Sequence, residues 1–134
     1  MIVADTNIIS YLFLPTDYSA KASQLFVKDS EWIAPELWRS EFRNVLALYL
    51  RQNLITLTQA LALQAEAESL MNDREYSIPS NDVLNLVASS ACSAYDCEFV
   101  ALARQLALKL VTQDKKLLRE FPEIAISLDD FLLS

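Results

Sequence analysis

A chain of 134 residues with 18 acidic against 11 basic side chains, a net charge of −7 and 53% hydrophobic residues is about one acidic, apolar-rich domain in size. It contains no histidine and no glycine, which excludes Ser-His and Cys-His nucleophile systems as well as glycine-dependent phosphate loops and dinucleotide turns. The acidic balance argues against broad electrostatic capture of nucleic acid and suits hard divalent cations or a basic partner segment.

In chain order, Ile2-Val3-Ala4 reads as a short buried strand ending at Asp5. Thr6 or Asn7 is placed to cap a helix running to about Leu12, and Pro15 ends it. A second helix spans roughly Ser19 to Lys28, and Trp32-Ile33-Ala34 forms a strand. Pro35 suits the first turn of a third helix reaching about Gln52, and Thr58 caps a fourth through Met71. Ser80 opens a fifth helix, and Ser93 caps a sixth from Ala94 to about Ala107. Leu110-Val111-Thr112 is a strand, followed by a short helix from Asp114 to Phe121. Ile124-Ala125-Ile126 is the last strand, and Ser127 caps a terminal helix with capping-box spacing to Asp130. Short apolar strands alternating with helices predict one α/β domain over residues 1–134, a parallel sheet with helices on both faces.

No apolar stretch approaches the roughly 18 residues of a membrane span, and Met1 to Asp5 has no signal-peptide character, so a cytoplasmic protein is expected. The mean hydropathy of +0.20 leaves apolar surface for a subunit or partner interface. Cys92 and Cys97, five apart on what reads as a helical segment, are expected to be unbridged fillers.

Most acids have ordinary explanations. Glu66, Glu68, Asp73 and Glu75 read as solvated helix surface, while Asp82, Asp129 and Asp130 read as helix starts. Four others stand out. Asp5 directly ends an apolar strand, where an open α/β sheet faces its ligand crevice, although a helix cap is the alternative. Glu41 lies mid-helix among Leu37, Trp38, Val45 and Leu48, and a lone carboxylate on an apolar stripe needs a cation or donors. The alternative is a buried pair with Arg39 or Arg43. Asp96 heads a face continued by Phe99, Val100 and Ala103, whereas Glu98 is expected to point elsewhere. Asp114 follows a strand after one residue, and could equally be a helix-start acid before Lys115 and Lys116. Together the four would repel one another unless one or two Mg²⁺ or Mn²⁺ ions joined them, and such ions supply hydrolytic chemistry without histidine.

These residues also carry a family resemblance. Val3-Ala4-Asp5-Thr6-Asn7 resembles the first acidic motif of PIN domains, particularly the toxin ribonucleases of VapBC-type toxin–antitoxin pairs. Trp38 to Leu46 resembles the family's Glu-bearing helix, and Tyr95 to Ala103 joined to Leu110 to Leu117 resembles its most specific stretch. The resemblance implies a three-layer α/β/α sandwich, with Asp5, Glu41, Asp96 and Asp114 as catalytic and metal-binding residues. It implies Mg²⁺- or Mn²⁺-dependent hydrolysis of RNA, a homodimer, and a VapB-like antitoxin that blocks the site. Arg39, Arg43, Lys115 and Lys116 flank Glu41 and Asp114 and are the candidates for holding RNA. Family members usually carry a glycine where this chain has Leu106-Ala107-Leu108-Lys109, so Ala107 or Leu108 must end the helix without one. A catalytically silent PIN-like interaction module, a structural ion cluster and a small-molecule phosphate-ester hydrolase are the competing readings.

Overall fold

The computed structural model describes residues 1–134. Five strands, β1 (Ile2–Ala4), β2 (Trp32–Pro35), β3 (Glu75–Tyr76), β4 (Leu110–Val111) and β5 (Ala125–Ile126), form one sheet in the order β3-β2-β1-β4-β5. Every pairing is parallel. Eight helices connect and cover them: α1 (Thr6–Phe13), α2 (Ser19–Lys28), α3 (Trp38–Arg51), α4 (Leu57–Leu70), α5 (Ser80–Ala88), α6 (Ala94–Leu106), α7 (Lys115–Glu120) and α8 (Leu128–Leu133). The result is the expected three-layer α/β/α sandwich.

A central parallel strand has neighbours on both edges and helices on both faces, so it must be apolar throughout. Ile2, Val3 and Ala4 of β1 are accordingly buried. Helix α6 packs across β1, β2 and β4 with α5 against it, while α1 packs on β1 and gathers α2, α3 and α4. Residues Phe99 to Ala103 of α6 are all buried, and α3 buries Trp38, Phe42 and Leu46 at helical spacing.

The strand order also locates a crevice. From β1 the chain steps outward through β2 to β3, whereas β4 and β5 lie on the opposite side of β1. The order therefore reverses between β1 and β4, where open α/β sheets bind ligands beyond their carboxyl ends. Asp5 follows β1 directly, and Asp114 lies three residues beyond the end of β4.

Several boundaries differ from the sequence expectation for physical reasons. Pro35 belongs to β2, and α3 starts at Trp38 after a turn. Thr56, not Thr58, caps α4, because Gln59 completes a reciprocal capping box with it. Cys92 lies in the bend before α6 and not within a helix, and both cysteines are free and buried. Strand β3 was not expected: its two residues are polar, and backbone bonds from Ala34 N to Arg74 O and from Glu36 N to Tyr76 O define it. Glu75 is therefore no solvated helix acid. It accepts from Trp38 Nε1 at 2.7 Å and from the Arg39 guanidinium, tying this edge strand to α3.

Helix α6 ends as its lack of glycine requires. Ala107 takes the left-handed conformation at φ 54°, and Leu108 N donates to Ala103 O at 2.9 Å.

Candidate active site

A hollow of about 460 Å³ opens at the carboxyl ends of β1 and β4, and Asp5, Glu41, Asp96 and Asp114 all line it. They arrive from separate segments: the end of β1, the first turn of α3, the first turn of α6 and the cap of α7. The two capping alternatives prove compatible with the hollow. Asp5 caps α1 by accepting from Thr6 N at 2.8 Å, and Asp114 caps α7 by accepting from Lys116 N and Leu117 N. A helix cap faces one oxygen to the backbone and leaves the other free for different work.

Two threonines hold the arrangement. Thr112 Oγ1 donates to Asp5 Oδ2 at 2.6 Å while accepting from Asp114 N at 3.0 Å, linking the two strand-end acids. Thr6 Oγ1 donates to Glu41 Oε1 at 2.7 Å, fixing α1 against α3. Neither threonine was singled out in the sequence as a site residue, and the signal for both was adjacency to acids at strand ends. Glu41 pairs with neither Arg39 nor Arg43. It sits half-buried at the rim of the stripe formed by Trp38, Phe42 and Leu46, whereas Leu48, expected on its apolar face, is 50% exposed.

Burial dominates the electrostatics. It raises the Asp5 carboxyl from 3.8 to about 7, against the pull of the Thr112 hydroxyl and Thr6 amide, with Glu41 and Asp96 pushing it further. Burial likewise raises Glu41, with Asp96 and Glu98 adding to the rise while Thr6 opposes it. Asp96 is raised by burial and then by Asp114, while Ser93 and Lys116 pull it back. These acids form a mutually repelling set that favours a cation.

The donor chemistry fits a hard divalent ion. All four acids offer oxygen, the only two cysteines lie outside the hollow's lining, and Asn7 lines the same hollow with a buried Oδ1 that no donor reaches. As placed, no three acids are grouped to hold one ion among them.

The basic candidates separate. The Arg39 guanidinium is engaged by acids outside the hollow: its Nη2 donates to Glu75 Oε1 at 2.7 Å and its Nη1 to Glu68 Oε1 at 2.8 Å. Arg43 Nη2 reaches Ser40 Oγ at 3.1 Å, a residue of the hollow's wall, and forms no ion pair. Lys116 lies near enough to Asp96 to lower its pKa, and Lys115 is exposed beside it. Glu98 also departs from expectation. It is half-buried and its charge acts on Glu41, so it borders the acid cluster.

A model of the PIN domain matches residues 2–124. The chain belongs to the PIN-domain family. Among characterised proteins it is similar to Ribonuclease VapC3 of Pyrobaculum aerophilum, 25% identical over 126 residues that cover 92% of this chain and 96% of the relative. Among solved structures, PAE2754 of Pyrobaculum aerophilum superposes with a TM-score of 0.72 at 21% identity, covering 98% of this chain and 93% of that one. FitAcB of Neisseria gonorrhoeae gives 0.68 at 18% identity, covering 87% of this chain and 89% of that one. FitAB bound to the IR36 DNA fragment gives 0.70 at 17% identity, covering 96% of this chain and 95% of that one. These PIN-like neighbours share the architecture described above.

Proposed function

We propose that this PIN-domain chain is a Mg²⁺- or Mn²⁺-dependent endoribonuclease, working as the toxin of a toxin–antitoxin pair. The observation that carries the reading is the convergence of four acids from four segments on one hollow at the sheet's switch point. The similarity to a protein named as a ribonuclease supports the substrate class. A homodimer and a VapB-like antitoxin belong to the same reading.

Asp5, Asp96, Asp114 and Glu41 are the residues that would hold one or two ions. When bound, such an ion supplies an activated water and charge relief at the leaving oxygen. The chain's own residues do the positioning. Thr112 holds the Asp5 carboxylate against β4, and Thr6 holds Glu41 toward the same hollow. Without a cation, burial raises the Asp5 carboxyl to about 7, so a divalent ion held there would displace a proton from it. Lys116 offsets charge beside Asp96, and with Arg43 it is the cation best placed to receive an RNA phosphate. With a net charge of −7, substrate must be held by such local contacts and not by the overall field.

The test is incubation of the purified chain with labelled single-stranded RNA in Mn²⁺ or Mg²⁺, in EDTA, and beside a panel of small phosphate esters. The reading requires RNA cleavage with metal, none in EDTA, and inert esters. Turnover of the esters without RNA cleavage would favour the phosphate-ester hydrolase, and no turnover of either would favour a silent interaction module.

A further inference from the structure

Beside the acid hollow lies a second groove of about 470 Å³, and Leu37 lines both. Ile78, Val83 and Leu84 line it with apolar surface, together with Tyr76, which is 37% exposed. Glu36 and Glu98 supply its charge, and no lysine or arginine lines it. Neither acid belongs to any ion pair of the chain. The Glu98 carboxylate is half-buried and makes no hydrogen bond within the chain. An occupant that complements this lining brings apolar surface and hydrogen-bond donors, without negative charge inside the groove.

A nucleobase meets those requirements, and the groove adjoins the site where a phosphodiester would be cut. Bases splayed out of single-stranded RNA are recognised by stacking on aromatic faces and by hydrogen bonds to their Watson–Crick edges. We propose that this groove is a base subsite for a guanine next to the scissile phosphate, with Glu98 accepting from its N1–H and N2–H₂. Guanine presents two adjacent parallel donors that match the two oxygens of one carboxylate. Uracil presents a single N–H between two carbonyls, which would face the carboxylate with like charge. Leu84 and Tyr76 cover the ring. This assignment rests on the ribonuclease reading for its substrate, while the groove's affinity for a base does not depend on turnover.

The experiment has two arms on the intact protein. In the first, guanosine and uridine are titrated separately at equal concentrations and followed by NMR at Tyr76, Leu84 and Glu98. Guanosine should shift these signals and uridine should not, and Glu98→Gln should remove the difference. In the second, oligoribonucleotides varied at the base beside one cleavage site are cut in Mn²⁺. The ratio of kcat/KM for guanine over uracil should fall about tenfold in Glu98→Gln and also fall in Leu84→Ala. The ratio is read because Glu98 borders Glu41, so the absolute rate reports on both sites. If no oligonucleotide is cut, the ribonuclease reading fails while the first arm still decides the groove. Equal response to both nucleosides, or none, overturns the subsite. So does a groove that a basic amphipathic peptide fills and guanosine does not, since it would then be a protein-docking face.

Discussion

Burial brings the Asp5 carboxyl to about 7, so without a cation it is close to half-protonated at neutral pH. The folded chain holds this proton more tightly than the unfolded chain, whose value lies near 4. Its contribution to stability is therefore full below about pH 4 and is lost as pH rises through about 7, up to about 4 kcal/mol at 1.36 kcal/mol per pKa unit. Thermal melts in EDTA should show Tm falling between pH 5 and pH 8, and Asp5→Asn should flatten that fall and stabilise the protein at pH 8. Mn²⁺ should restore the wild type at pH 8; parallel slopes for wild type and variant would refute the account. The acids were legible in the sequence as a set, at strand ends and on apolar helix faces, although Asp5 and Asp114 taken singly also read as helix caps. Glu98 was not. Helical spacing separates it from Asp96, and only the fold, which lines one groove with Glu36, Leu37, the segment Tyr76 to Ile78 and Glu98, brings its charge to act on Glu41.

At the scale of elements, two local devices hold the site's supports in place. Ala107 closes α6 in the left-handed region, which costs a residue with a Cβ about 1 kcal/mol relative to glycine. Ala107→Gly should raise Tm by roughly 2–5 °C without altering activity; a lower Tm would show that the strain is offset elsewhere. The second device is Glu75, which joins β3 to α3 through Trp38 and Arg39. Its side chain is 13% exposed, so Glu75→Ala leaves the indole N–H without its acceptor and the guanidinium with Glu68 alone, and should cost about 2–3 kcal/mol in urea unfolding. Loss below about 0.5 kcal/mol would mean the edge strand holds without it. Caps at Ser93 and Ser127 were legible from residue type and spacing, since their hydroxyls accept from Asp96 N and Asp130 N. β3 was not legible, because a two-residue polar strand has no periodicity and exists through its pairing with β2.

For the molecule as a whole, an acidic protein meeting a polyanion must do so through few contacts. If Arg43 and Lys116 each neutralise one phosphate, replacing both by Ala should reduce the slope of log K against log salt for RNA binding by about 1.4. An unchanged slope would place RNA elsewhere, and Arg39→Ala should leave it unaltered because its guanidinium is committed to Glu75 and Glu68. The parallel sheet and its layers were legible from short apolar strands between helices, yet the strand order that creates the crevice is a property of packing alone. Cleavage is expected to need the four acids together with one or two divalent ions. The most direct measurement is single-turnover cleavage of a labelled RNA by wild type and Asp96→Asn across a Mn²⁺ titration, with folding checked by Tm. The account predicts a saturable Mn²⁺ dependence in the wild type, with cleavage lost in EDTA and in folded Asp96→Asn at every concentration. Cleavage that persists in EDTA, or an Asp96→Asn curve that overlays the wild type, would contradict it.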